Sequence, residues 1–285
     1  MAWVYTAVAP RRPSVLQRGV FPTPRDAASV ILVRDGAAGV EVFLLRRRKN
    51  ASFMGGAFVF PGGAADPGDG DPRVTAAREL FEEAGVLLGD APVAPDTLAA
   101  LRARQLAGAD FAALLAEAGV TLALERLTYY AHWITPSAEP KRFSARFYVA
   151  ALPAGQEPRF DDTETVDQAW RTPAAALAEA GALALPPPQV RTLGELRGCA
   201  TVADVVAAAT ARAACDHPIM PRLAPAPGGG FALLLPWDPE YLTAGTGDSA
   251  PMPADHPLAV GPTRFVLEDR TWKHIAVPGS TIAGW

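Results

Sequence analysis

The stretch FPGGAADPGDGDPRVTAARELFEEAGVLL, from Phe60 to Leu88, contains helix start and stop signals together with three glutamates within five residues. Asp71 is a good N-cap, Pro72 suits the first helical position, and Gly85 suits the residue after the helix end. These signals predict a helix over residues 72–84. Its charged residues fall largely outside one apolar stripe, so the helix is amphipathic with a carboxylate face. The apolar stripe contains Val74, Ala77, Leu80, Phe81 and Ala84.

The three glutamates of this helix are close enough to repel one another. Glu79, Glu82 and Glu83 are spaced i, i+3, i+4, so they point to one side of the helix. Each carboxylate raises the cost of ionising the others, and a hard divalent cation such as Mg²⁺ removes that repulsion. The alternative is a solvated helix face without a metal, since such triplets are common on surfaces. The FPGG segment (60–63) favours the metal, because a tight turn there lets the backbone approach a ligand.

The other periodic segments predict a mixed α/β order with hairpins instead of a regular βαβ repeat. Apolar β-branched runs at 27–33 and 40–47 flank the turn RDGAAG and predict a β-hairpin. Two Ala/Leu-rich stretches within 89–127 predict a helical insertion. Residues 1–26 are predicted to be a loosely packed arm and residues 243–262 a long flexible loop. The remaining predictions are strands at 57–60, 127–136, 142–152 and 167–172, and helices at 173–181, 186–198 and 200–213.

The composition narrows the range of partners and compartments. A formal net charge of -4 gives no general attraction to polyanions, which argues against nucleic acid or an anionic membrane as the main partner. The two cysteines and four histidines show no zinc-ligand spacing, and so few cysteines favour a reducing compartment. The sequence contains no run of about 18 apolar residues, which is the length that a membrane-spanning helix needs. We therefore expect a cytoplasmic protein.

Residues 78–86 read RELFEEAGV, and this run resembles the Nudix hydrolase family. The family signature is Gly, five residues, Glu, seven residues, then Arg-Glu-apolar-x-Glu-Glu-x-Gly-apolar, and the second half matches at every fixed position. The first half differs, because Asp69 and not a Glu follows Gly63 after five intervening residues, and eight residues separate Asp69 from Arg78. In the family the first Glu pairs with the signature Arg. The resemblance therefore implies that Asp69, Asp66 or Asp71 takes that role, or that Arg78 is anchored differently.

The resemblance also implies a metal ion and four catalytic residues, Arg78, Glu79, Glu82 and Glu83. Glu79 and Glu83 would bind Mg²⁺ or Mn²⁺ directly, Glu82 would complete the metal and water network, and the Gly62 carbonyl would add a further oxygen. The implied reaction is metal-assisted attack of water on a diphosphate. Glu82 is one candidate general base and Glu164 is a second; the alternative for Glu164 is a loop carboxylate ahead of a strand.

A longer resemblance, over about 27–277, points to one branch of this family. The segments SFMGGAFVFPGG, HWITPSAEPKRFSARFYVA, TETVDQAW and LPPPQ are similar to the branch that includes the mammalian peroxisomal coenzyme A diphosphatases. The implied fold is an α/β/α sandwich with a mixed sheet. It implies a Nudix domain at 27–199 that contains the 89–127 insertion, and a C-terminal extension at 200–285 packed on the Nudix core.

The same branch implies hydrolysis of coenzyme A or its thioesters to 3′,5′-ADP and a 4′-phosphopantetheine product. Such a substrate needs cations for its phosphates, and arginine suits planar phosphate recognition. Arg46 and Arg48 in RRRK and Arg142 in KRF are candidates, with Gly63 allowing close approach and Glu164 nearby. The alternative for each arginine is a solvated strand end.

Two other functions remain open from the sequence. One is hydrolysis of another nucleoside diphosphate derivative, such as ADP-ribose or NADH. The other is a non-catalytic Nudix fold that serves as a ligand sensor, against which the presence of Glu79, Glu82 and Glu83 argues.

Overall fold

The computed structural model describes residues 21–51, 53–226, 230–253, 255–268 and 271–275. The predicted arm lies mostly outside these residues, although Arg25 and Asp26 already belong to the first strand. The strands are β1 (Arg25–Gly36), β2 (Gly39–Arg47), β3 (Phe58–Val59), β4 (Gly62–Ala64), β5 (Thr128–Ile134), β6 (Phe143–Ala151), β7 (Thr165–Arg171), β8 (Arg222–Pro225), β9 (Phe231–Leu234), β10 (Arg264–Glu268) and β11 (Thr271–Ile275). The helices are α1 (Pro72–Ala84), α2 (Pro95–Leu106), α3 (Phe111–Ala118), α4 (Pro173–Ala178), α5 (Pro187–Leu196) and α6 (Val202–Arg212), with a short 3₁₀ helix at Leu124–Arg126.

The centre of the molecule is a seven-stranded mixed sheet. Its main order is β3-β2-β1-β6-β5, with β4 also paired to β1 and β7 also paired to β2. Strands β1 and β6 run parallel, and the other pairs of this sheet are antiparallel. The predicted mixed sheet is therefore confirmed.

The sheet is covered on both faces because its central strands are apolar on both sides. Val30, Leu32, Phe43 and Leu45 pack against α1, and the alternate residues of β1 and β2 pack against α4, α5 and α6. This arrangement confirms the predicted α/β/α sandwich. No helix among the described residues is both long enough and apolar enough to cross a bilayer.

Helix α1 begins and ends where its sequence signals predict. The side chain of Asp71 accepts from the Arg73 N–H, and Pro72 is the first helical residue. Gly85 adopts φ 69°, in the left-handed region, and its N–H donates to the Phe81 carbonyl. Local capping therefore fixes both ends of the helix that carries the glutamates.

The predicted helical insertion is present as α2 and α3. Its apolar residues form a separate small cluster that includes Phe81 of α1, and the rings of Phe81 and Phe111 lie 6.0 Å apart. The insertion thus packs on the outer side of α1. The cluster contains Phe81, Leu87, Leu98, Leu101, Phe111, Leu114 and Leu115.

The C-terminal part forms a second, four-stranded antiparallel sheet in the order β11-β10-β9-β8. Leu235 and Phe265 join the same apolar cluster as one face of the central sheet. The described part of 243–262 has no helix or strand, but Met252 and Leu258 are buried. The buried Arg191 also donates to the Leu258 and Val260 carbonyls. The segment is therefore a long loop, as predicted, and the contacts of Leu258 and Val260 hold that part of it against α5.

Candidate active site

The second half of α1 presents three glutamates, Glu79, Glu82 and Glu83, toward β4; they are called the carboxylate cluster below. Glu83 is the deepest of them, with 4% of its side chain exposed. Its Oε2 accepts from the Gly62 N–H at 2.8 Å, and its Oε1 lies 3.8 Å from Arg47 Nη1. Glu83 is therefore held between the backbone of β4 and a cation of β2.

The two glycines of FPGG lie in β4, which pairs antiparallel with β1. The predicted tight turn is thus a short strand. A Cβ on Gly62 would overlap Ser29 and the Ala28 carbonyl, and a Cβ on Gly63 would lie 2.5 Å from the Glu79 carboxylate. Gly62 requires glycine because the backbone of β4 approaches the backbone of β1 there, and a side chain at Gly63 would displace the Glu79 carboxylate from the cluster.

Arg78 is anchored by Asp69, which resolves the alternatives left open by the sequence. Its Nε and Nη2 donate to the two Asp69 carboxylate oxygens at 3.2 and 3.0 Å, and Nη2 also donates to the Ala64 carbonyl at 2.9 Å. Asp66 lies farther away, at 3.7 Å, and Asp71 instead caps α1 and pairs with Arg73.

Asp69 reaches Arg78 because the loop ahead of α1 folds back on itself. The Asp69 N–H donates to the Asp66 carbonyl at 3.0 Å, and the Asp69 carboxylate accepts from the Asp66 N–H and the Thr75 hydroxyl. Burial raises the pKa of Asp69, but the hydrogen bonds from Arg78, Asp66 and Thr75 outweigh it and hold the pKa below its usual range. Asp69 is therefore an ionised partner for Arg78, although its side chain is shorter than that of the glutamate in the family signature.

Burial disfavours the ionised form of each glutamate in the carboxylate cluster. Burial raises the pKa of Glu79 to about 7, with Arg78 opposing the rise and Glu82 adding to it. Burial also raises the pKa of Glu83 well above its usual range, and the charge of Glu79 adds to the effect. The pKa of Glu82 is raised by burial as well. A cation beside these side chains would reverse the shifts, because it favours the ionised forms.

The chemistry of the donors fits a hard divalent cation. The cluster consists of carboxylate oxygens on one helix face beside the backbone of β4, which suits Mg²⁺ or Mn²⁺ and not zinc. Among the residues that the structure describes, no three His, Cys, Asp or Glu side chains converge tightly enough to enclose an ion. An open set of this kind is what Mg²⁺ uses when waters and substrate phosphates complete its shell. The Gly62 carbonyl remains a predicted ligand.

The structure brings Glu164 to the carboxylate cluster. Its Oε2 lies 3.6 Å from Arg47 Nη2, and its charge contributes to the raised pKa values of Glu79, Glu82 and Glu83. The preceding loop is fixed by the Asp161 side chain, which accepts the N–H groups of residues 163, 164 and 165 at 3.1, 3.0 and 2.8 Å. A role for Glu164 as general base remains a prediction.

Arg47 is the arginine of RRRK that faces the carboxylate cluster, and the sequence interpretation selected its neighbours instead. Side chains alternate along β2, so Arg47 shares the α1-facing side with Phe43 and Leu45. Arg46 lies over the Phe58 ring at 5.8 Å. Arg48 donates to the Asp162 and Thr163 carbonyls, so it holds the loop that carries Glu164. The alternation was visible in the sequence and separates Arg47 from Arg46 and Arg48, but only the fold shows which side of β2 faces α1.

Arg142 does not join this site. Only 7% of the residue is exposed, and its Nε and Nη1 donate to the Thr135 and Pro22 carbonyls at 3.1 and 2.6 Å. Its Nη2 contacts the Met220 sulfur at 3.7 Å. The predicted phosphate contact is therefore replaced by a structural role, since this guanidinium ties three chain segments together.

Comparison with known proteins agrees with this geometry. Residues 23–102 match the family model of the NUDIX domain, and residues 67–196 match that of the NUDT19 Nudix domain. Nudix hydrolase 7 of Caenorhabditis elegans is 35% identical over 196 residues, covering 60% of this chain and 60% of the relative. Acyl-coenzyme A diphosphatase NUDT19 of Xenopus laevis is 23% identical over 251 residues, covering 62% of this chain and 65% of the relative. The matched regions thus span less than two thirds of these curated relatives.

A solved structure gives a more complete match. The crystal structure of a NUDIX hydrolase from Alicyclobacillus acidocaldarius superposes with a TM-score of 0.58 at 30% identity. The match covers 96% of that chain and 65% of this one. With the RELFEEAGV helix in place and the predicted sandwich around it, this chain belongs to the Nudix hydrolase family.

Proposed function

We propose that this protein is a Mg²⁺-dependent diphosphatase, also active with Mn²⁺, that cleaves the pyrophosphate of coenzyme A or acyl-coenzyme A. The products would be 3′,5′-ADP and a phosphopantetheine fragment. The observation that carries the proposal is the carboxylate cluster, in which burial raises the pKa of all three glutamates. The charge of Glu82 adds to the rise for Glu79, and the charge of Glu79 adds to the rise for Glu83, so a cation would stabilise the ionised forms. The substrate class is supported by the match to the NUDT19 Nudix domain and by the Xenopus laevis acyl-coenzyme A diphosphatase.

Glu79, Glu82 and Glu83, with the Gly62 carbonyl, would hold the metal. When bound, the metal would neutralise phosphate oxygens and lower the pKa of a coordinated water. Arg78 acts on this set through its neighbours: it donates to Glu79 Oε1 at 3.0 Å while Asp69 fixes its other side. Arg78 therefore orients Glu79 and does not need to touch the substrate.

Exposure separates the candidates for the general base. The side chain of Glu82 is 37% exposed and that of Glu83 only 4%, so an attacking water can reach Glu82 more readily. Glu164 is 61% exposed and lies on the same side, which keeps it as the second candidate. A base must come within hydrogen-bond reach of the water it activates, and the side chains of Glu82 and Glu164 are both exposed enough for a water to reach them.

The test is a product analysis with a matched pair of variants. Wild type, Glu83→Gln and Glu117→Gln are incubated with coenzyme A, acetyl-coenzyme A, ADP-ribose or NADH plus Mg²⁺ or Mn²⁺, and products are separated by chromatography. We expect 3′,5′-ADP from the coenzyme A substrates with wild type, and a loss of at least about 100-fold in Glu83→Gln. Glu117→Gln should match wild type, because Glu117 is an exposed glutamate of α3 paired with Arg104.

The other outcomes separate the alternatives. Cleavage of ADP-ribose or NADH alone would keep the chemistry and overturn the substrate class. If none of the four compounds is cleaved, the enzyme proposal is overturned and a ligand sensor is favoured.

A further inference from the structure

The helical insertion contacts the backbone of α1 directly beside the carboxylate cluster. Arg102 of α2 donates to the Glu82 carbonyl from Nε at 3.1 Å and from Nη2 at 2.9 Å. The same Nη2 donates to the Glu83 carbonyl at 2.8 Å. One turn farther along α2, Gln105 lies 3.4 Å from the Arg78 carbonyl. A single helix of the insertion therefore contacts α1 at three of its signature residues.

These carbonyls need an external partner. The last carbonyls of a helix have no donor within it, and the C-terminal end carries partial negative charge. Helix α1 has no basic residue in its own last turn, and the Gly85 N–H serves only the Phe81 carbonyl. The negative end of α1 thus coincides with Glu82 and Glu83, which already repel each other. Arg102 supplies from another helix the donors and the positive charge that α1 lacks.

The contact is built into the packing of the insertion. Leu98 and Leu101 bury one side of α2 in the cluster that includes Phe81, and this packing places the neighbouring Arg102 over the end of α1. A Cβ on Gly85 would lie 2.9 Å from Arg102 Nη1. Gly85 therefore serves two purposes, since it ends the helix and leaves room for the guanidinium.

We propose that Arg102 is a positioning residue for the metal-binding glutamates. It holds the backbone of Glu82 and Glu83 in the orientation that presents their side chains to the metal, so the insertion completes a site that the signature helix does not complete alone. This inference rests on the proposed function, because it assumes that the carboxylate cluster binds a divalent cation.

The test measures Mn²⁺ binding by isothermal titration calorimetry in the full-length wild type, Arg102→Ala, Arg102→Lys and Arg104→Ala. We expect Arg102→Ala to weaken binding by about 10- to 100-fold, the usual cost of losing a group that orients a metal ligand. Arg102→Lys should be intermediate, because lysine keeps the charge without the planar fork that spans two carbonyls. Arg104→Ala should equal wild type, since Arg104 lies on the same helix but pairs with the exposed Glu117.

A kinetic readout separates positioning from general damage. The Mg²⁺ concentration for half-maximal activity should rise in Arg102→Ala, whereas misfolding would lower the maximal rate without shifting that concentration. Circular dichroism establishes which variants fold. If Arg102→Ala does not, Arg102→Lys and Arg102→Gln carry the comparison, because both keep a hydrogen-bond donor at this position.

Each outcome bears on the inference. Equal Mn²⁺ affinity in wild type and a folded Arg102 variant that lacks the guanidinium would overturn it. A second outcome combines two results: the variant binds Mn²⁺ more weakly than wild type, and wild type leaves coenzyme A intact. That outcome would support the inference and overturn the proposed substrate. A wild type that binds no Mn²⁺ would overturn both.

Discussion

Two clusters of buried charge lie on opposite faces of the central sheet and are balanced in different ways. On one face is the carboxylate cluster of α1. On the other is an arginine cluster formed by Arg191, Glu195, Arg212 and Tyr130. There, Glu195 lies 2.7 Å from Arg191 on one side and 2.7 Å from Arg212 on the other, and it accepts from the Tyr130 hydroxyl at 2.9 Å.

The difference concerns where the compensating charge comes from. In the arginine cluster each arginine is paired with the single counter-charge of Glu195, and Arg191 gains further contacts with the Trp237 ring and two main-chain carbonyls. The carboxylate cluster has three acidic side chains, and the arginines beside it only partly offset them. Buried charges that are paired with a partner of opposite sign within the fold are typical of structure, and several buried charges of one sign that are only partly offset are typical of a site completed by a ligand.

The largest expected effect comes from removing the glutamate of the arginine cluster. Glu195→Gln would leave Arg191, with 1% of its side chain exposed, without its counter-charge. We expect the free energy of unfolding to fall by about 3 kcal/mol, because removing one partner strands a buried charge. Urea denaturation followed by circular dichroism measures it. Mn²⁺ affinity should not change.

A glutamate in an exposed pair provides the control for that measurement. Glu179, with 44% of its side chain exposed, pairs with Arg171, so Glu179→Gln should change the free energy of unfolding by less than about 1 kcal/mol. If Glu195→Gln were as stable as wild type, the aromatic and carbonyl contacts of Arg191 alone would suffice, and the contrast between the clusters would weaken.

The second effect concerns how stability depends on pH in the metal-free protein. Glu79 is faced by Arg78, Glu82 and Glu164, and its folded pKa of about 7 exceeds its ordinary value of 4.5. The folded state therefore binds the proton more tightly than the unfolded state. This contribution is fully present below about pH 4.5 and is lost as pH rises through 7.

With a chelator present, we expect this contribution, taken as the free energy of unfolding of wild type minus that of Glu79→Gln, to fall by on the order of 2 kcal/mol between about pH 5 and 8. Saturating Mg²⁺ should remove most of this slope, because the cation favours the ionised glutamates. The Glu195→Gln background should keep it, since that change lies on the other face of the sheet. A difference that rises over this range would contradict the electrostatic account of the carboxylate cluster.

Local signals in the sequence predicted the parts of this site that depend on local chemistry. The N-cap Asp71, Pro72 and Gly85 fixed the bounds of α1, and the helical spacing of its glutamates predicted a shared face. The partner of Arg78 could not be chosen in the same way, because Asp66, Asp69 and Asp71 lie within six residues of chain. Only the fold of their loop decides which carboxylate meets the guanidinium.

Contacts between distant segments were beyond the sequence pattern for a related reason. Arg142 has the residue type expected for phosphate binding, but its guanidinium N–H groups contact the Thr135 and Pro22 carbonyls and the Met220 sulfur instead. Arg102 lies in an insertion that matches no part of the signature, and its role depends on how α2 docks on α1. Arg47 is different only in part, since strand alternation separates it from Arg46, but the docking of α1 decides which face of β2 lies at the site.

The smallest expected effect uses that alternation. Arg47 lies 3.8 Å from Glu83 and 3.6 Å from Glu164, whereas the adjacent Arg46 lies over Phe58 on the other side of β2. Because Arg47 offsets part of the negative charge that would attract a metal, Arg47→Gln should strengthen Mn²⁺ binding by about threefold, the size expected for one solvent-screened charge. Arg46→Gln is the matched control and should leave the affinity unchanged. Weaker binding in Arg47→Gln, measured by calorimetry at low ionic strength, would mean that Arg47 holds Glu83 in its binding orientation. Arg47 would then position the carboxylate cluster as Arg102 is proposed to do. The negative charge of the carboxylate cluster would also be offset by the protein more fully than the comparison with the arginine cluster implies.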